Sequence, residues 1–150
     1  MSVIVTDQGF GPDTANAVPV SLADLTGDTP AVDLSSADDP ATLALHLATL
    51  RLIRVGFPAF TDGRGFTIAA RLRRMGYTGT LRAAGHVIAD QYAMARRAGF
   101  DEVEISATLA ARQPEDQWQA RADWRAHDYQ SRLRAPSTGS LDTPSGVSSV

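Results

Sequence analysis

Between Leu50 and Asp101 the chain repeats one unit: a short apolar run, a turn carrying glycine, then a longer stretch with helical periodicity. The first run, Leu52-Ile53-Arg54-Val55-Gly56-Phe57, breaks at Pro58 and turns through Phe60-Thr61-Asp62-Gly63-Arg64-Gly65-Phe66 into a helix ending at Gly76. The second, Thr80-Leu81-Arg82-Ala83-Ala84, turns at Gly85-His86 into a helix ending at Gly99, and Glu102-Val103-Glu104-Ile105 comes directly after it. Such alternation predicts an α/β fold with a mostly parallel sheet built from βαβ units. The turns that come after parallel strands share one edge of the sheet, where ligands usually bind. Asp62, Arg64, Arg82, His86 and two helix N-termini are therefore expected together on that edge.

The flanks fit one such domain. Residues 3–5 read as a short edge strand, and 7–30, rich in Gly, Pro, Asp and Thr, as loop or loose cover. Residues 31–34 form a first strand with a period of two. Asp39 is a good N-cap and Pro40 suits the first helical position, so a helix bearing Leu43, Leu47 and Leu50 is expected next. Phe66, Ala69, Ala70 and Leu72 are assigned to the inner side of the next helix, with Arg71 and Arg74 in water. Pro114, with Glu115 and Asp116 after it, starts another helix, on which Trp118, Ala122, Arg125 and Tyr129 make a stripe. The division is residues 1–30 as cover or edge strand, 31–134 as the α/β domain and 135–150 as a disordered tail. The repeated unit resembles a segment of a βα barrel, but 150 residues fall short of the roughly 200 or more of a complete one.

Composition narrows the function classes. Net charge is −3, which argues against non-specific attraction to nucleic acid or anionic membrane. No apolar run approaches the roughly twenty residues of a membrane span. The start of the chain lacks the features of a signal peptide, so a cytoplasmic location is expected. Cysteine is absent, which removes thiolate nucleophiles, iron–sulfur clusters and thiolate zinc sites. The three histidines, His46, His86 and His127, are far apart, and neither a metal site nor a bound cofactor is expected. Every cationic side chain is arginine, read either as GC-rich codon usage or as preference for bidentate anion recognition.

The candidate site is anion-binding: Asp62, Gly63, Arg64, Gly65, Arg82 and Gly85, supported by His86, Asp90 and Gln91. Glycines at a strand-to-helix turn let backbone N–H groups approach a phosphate, though Gly63-Arg64-Gly65 reads equally as turn chemistry. Two guanidiniums beside helix N-termini suit a divalent oxyanion. The alternative is a structural lock in which Asp62 pairs with one arginine, or Asp90 with Arg82. His86, placed in the first turn of its helix, forms with Asp90 a candidate acid–base pair.

These residues also carry a resemblance. The run 57–66, Leu72-Arg73, Gly79-Thr80-Leu81-Arg82-Ala83, Gly85, Asp90-Gln91 and Arg97-Ala98-Gly99-Phe100-Asp101 resemble a bacterial family of unknown function. Genes of that family commonly lie beside assimilatory sulfite reductase, and its members are often labelled oxidoreductases involved in sulfite reduction. Several members have Asp in place of His86, Arg in place of Ala89 and Cys in place of Ala98, which argues against an indispensable acid, base or thiol there. The resemblance implies an accessory protein of sulfite reduction in cysteine biosynthesis, with a small oxyanion or sulfite reductase as partner. Two rivals stand beside it: a small metabolic enzyme of βα-barrel ancestry acting on a phosphorylated or carboxylated substrate, and a structural interaction protein without a ligand site.

Overall fold

The computed structural model describes residues 2–125. Seven strands, β1 (Ser2–Thr6), β2 (Gly9–Gly11), β3 (Val20–Ser21), β4 (Ala31–Leu34), β5 (Leu52–Phe57), β6 (Thr80–Gly85) and β7 (Glu102–Ser106), form one open sheet in the order β2-β1-β7-β6-β5-β4-β3. Strands β3 to β7 are mutually parallel, as the repeated unit requires, and β1 runs antiparallel between β7 and β2. The helices are α1 (Arg64–Arg74), α2 (Tyr92–Ala98), α3 (Ala107–Arg112) and α4 (Glu115–Gln119).

The two-residue period of the strands decides what each face meets. Val32, Leu34, Ile53, Val55, Phe57, Leu81, Ala83, Val103 and Ile105 point one way and form the core with Ile68, Leu72, Tyr92, Phe100 and Trp118 from the helical segments. The intervening residues point the other way, and on four adjacent strands they are charged: Asp33, Arg54, Arg82, Glu102 and Glu104. The apolar run of β5 suits a sheet covered by helices on both faces; here the core cluster lies on one face and an ion-pair layer on the other.

Several expectations need correction. The strand at residues 3–5 is not an edge, because β1 pairs on both sides. The stretch 7–30 includes two edge strands, too short and too rich in small residues to show a period. Asp39 caps as expected, accepting from the Ala41 N–H, but it opens a 3-10 turn, Pro40–Leu43, rather than a full helix. His86 lies outside any helix, since Gly85 has φ of 106° and ends β6. A 3-10 turn, Ala89–Gln91, then leads into α2. Helix α4 ends at Gln119, so Ala122 and Arg125 lie beyond it. Tyr129, His127 and the tail from 135 fall outside the described residues.

Candidate functional site

At the carboxyl edge the structure assembles Asp62, Gly63, Arg64, Gly65, Gly85, His86 and Gln91, and gives most of them internal work. Asp62 sits where an anion at the start of α1 would sit. It accepts from the Arg64 backbone N–H at 3.1 Å and from that residue's guanidinium at 3.0 and 2.7 Å. Ser36, nearly buried, donates to Asp62 and accepts from Arg64. Arg64 holds the Asp62 carboxyl well below the usual carboxylate range, so the positive helix end already has its charge. A methyl group on Gly65 would meet the Phe57 ring at 2.5 Å, and one on Gly85 would meet the Phe57 carbonyl oxygen at 2.8 Å. Both glycines thus seat Phe57. Gln91 accepts from the Ile88 N–H and donates to the Phe60 carbonyl. Asp90 faces Arg121, not His86 or Arg82, and His86 stacks edge-on against Phe60.

Arg82 is not at that edge. It is the third of six residues in β6, opposite Arg54, and its side chain is only 1% exposed. Its Nε donates to Glu102 at 2.6 Å, Nη1 to Glu104 and Asp13 at 3.0 and 3.1 Å, and Nη2 to Asp13 at 2.9 Å. Arg54 extends the layer, gripping Asp33 at 2.6 and 2.8 Å and Glu104 at 3.1 Å. Arg64 and Arg82 share no partner. Strand register puts the second arginine on the sheet face, where carboxylates of neighbouring strands meet it.

A concavity lies at the opposite, amino edge: a cleft of about 1010 Å³ whose cationic lining includes Arg51, Arg73, Arg96 and Arg125, with Asp101 the one carboxylate among its described lining residues. Two of these arginines are structural. Arg73 donates to the carbonyls of Tyr77, Gly79 and Gly99 and to Asp101, quenching chain ends near the negative poles of α1 and α2. Arg96 donates to the Phe100 carbonyl and pairs with Asp7. Arg51, exposed at the start of β5, and Arg125, stacked 4.8 Å from the Trp124 ring centre, have no carboxylate within ion-pair distance among the described residues. Two helix ends subtract roughly half a charge each, which with Asp101 and the Asp7 that pairs Arg96 leaves the cleft near +1 against its four arginines. The turn rule points only to carboxyl edges, so neither Arg51 nor Arg125 is singled out by it. Arg51 beside the first apolar run, and the Arg71 to Arg74 cluster before Gly76, are the signals in the chain.

A family model described as a bacterial protein of unknown function (DUF934) matches residues 31–139. No curated protein and no solved structure matches the chain.

Proposed function

The chain belongs to that bacterial family of unknown function, and from this premise we propose that it is an accessory protein of assimilatory sulfite reduction that binds a small oxyanion. The pathway is supported by the resemblance that residues 57–66 and 79–101 carry. The chemistry is supported by one contrast. Arg64 and Arg82 are engaged by Asp62, Asp13, Glu102 and Glu104, whereas Arg51 and Arg125 line an open cleft with no such partner among the described residues. Guanidinium presents parallel N–H donors that match an oxyanion edge. Trp124 packs against both Arg96 and Arg125, whose guanidinium carbons each lie 4.8 Å from its ring centre.

The volume of the cleft favours a second reading. About 1010 Å³ far exceeds what sulfite fills and suits a metabolite-sized ligand, so a phosphorylated or carboxylated substrate is the rival occupant.

Growth separates the two. Deleting the gene slows growth on sulfate as sole sulfur source, cysteine restores it, and a copy carrying Arg51→Ala and Arg125→Ala fails to complement. Normal growth of the deletion strain on sulfate would reject the pathway and favour the metabolic substrate.

A further inference from the structure

The segment joining β2 to β3 crosses the charged face of the sheet, because those strands are its two opposite edges and Asp13 in between touches Arg82. Six strand spacings at about 4.8 Å make roughly 29 Å. Nine residue steps from Gly11 to Val20 reach about 30–32 Å at most. This strap has little length to spare, and it bends at Asn16, whose φ is 54°. Among the described residues its only hydrogen bonds are those of Asp13, to Arg82 and to its own Ala15 N–H. Val18 is 85% exposed. A segment held by one side chain, two residues beyond β2, is a displaceable cover.

Two clefts open on this face of the sheet. One cleft of about 460 Å³ is lined by Thr14, Ala15, Thr80, Arg82 and Glu102. Another of about 610 Å³ is lined by Ser21, Leu22, Asp33, Arg54, Ala84 and Glu104. Small residues at Gly56 and Ala84 keep the floor of the second low. The walls of the second cleft include Ser21 and Leu22, at the far anchor of the strap.

We propose that this face is a second ligand site, kept shut by the strap, in which Asp13 stands where a ligand carboxylate binds Arg82. Charge selects the ligand class. Arg54 and Arg82 face Asp13, Asp33, Glu102 and Glu104, two cations against four carboxylates, for a net −2. Departure of Asp13 leaves −1. A simple monoanion would return the site to −2, whereas a small zwitterion keeps it at −1 and offers an ammonium to the surplus carboxylates. The ligand is a small molecule of the amino-acid type. The site is independent of the arginine cleft at the amino edge.

Glycine, acetate and methylammonium are matched probes for zwitterion, anion and cation. In calorimetry, Asp13→Ala binds glycine about tenfold or more tightly than wild type, because the tethered competitor is gone, and binds acetate and methylammonium more weakly than glycine. Equal glycine binding by the two proteins, or a preference for acetate, overturns the proposal. Arg82 keeps Glu102 and Glu104 in this variant, so its charge stays paired. Should the variant not fold, hydrogen exchange on wild type decides: saturating glycine speeds exchange in β3 and at the Ala15 amide while that of β5 is unchanged. Unaltered exchange in β3 rejects the proposal.

Discussion

Gly65 and Arg73 show how single residues near both sheet edges serve the fold before any ligand. Adding a methyl at Gly65 drives it to 2.5 Å from the Phe57 ring, and that ring packs on Phe66 and Phe100 with centroids 5.0 and 5.9 Å away. Relief requires shifting an aromatic cluster, so Gly65→Ala costs about 1–3 kcal/mol, measured as a lower midpoint in urea. A fall of less than a few tenths would show that the cluster yields freely. Arg73 satisfies three main-chain carbonyls at once. Arg73→Met keeps the apolar stem and strips the donors. Its expected loss is about 1–3 kcal/mol, the low end applying if water reaches the carbonyls, since the side chain is 27% exposed.

Among the elements, α4 is short and depends on its anchor. Trp118 is 1% exposed, stacks edge-on against Tyr92 at 6.2 Å and donates to the Gln113 carbonyl. Trp118→Ala should cost about 3–5 kcal/mol in thermal or chemical unfolding; a loss under 1 kcal/mol would mean that the neighbours collapse into the space. The strap has a pH dependence of definite sign. The hydrogen bond from Arg82, helped by the Ala15 N–H, lowers the Asp13 carboxyl below its ordinary value of 3.8. A lowered folded-state value stabilises above the unfolded value and is lost as pH falls through the folded one. Exchange of the Ala15 amide therefore accelerates below about pH 4 relative to β5. If that amide remains as protected there as at neutral pH, Asp13 is not the strap's latch.

At the scale of the molecule, the parallel run β4 to β7 was legible because short apolar runs alternated with helical spacing, and Asp62 beside Arg64 was legible as a lock. Residues 3–5 were legible as a strand but not as an antiparallel one between β7 and β2, and the edge strands β2 and β3 were not legible, since two- or three-residue strands have no period and their pairing is set by distant partners. Arg82 was misplaced for a related reason: a position within a strand fixes which face a side chain takes only once register is known. The cleft at Arg51 and Arg125 was not legible because it joins a strand start to the end of the described chain, which sequence spacing cannot bring together. The central claim is that this cleft binds an oxyanion. Each charge-assisted hydrogen bond contributes about 1.5–3 kcal/mol, so losing one weakens binding roughly tenfold or more. The most direct test is calorimetric titration of sulfite, sulfate and phosphate into wild type, Arg51→Ala, Arg125→Ala and Arg64→Ala at low salt. Millimolar or tighter binding to wild type, weakened at least about tenfold by the first two substitutions and untouched by the third, is the predicted result. Absence of binding to wild type, or loss through Arg64→Ala alone, would contradict it.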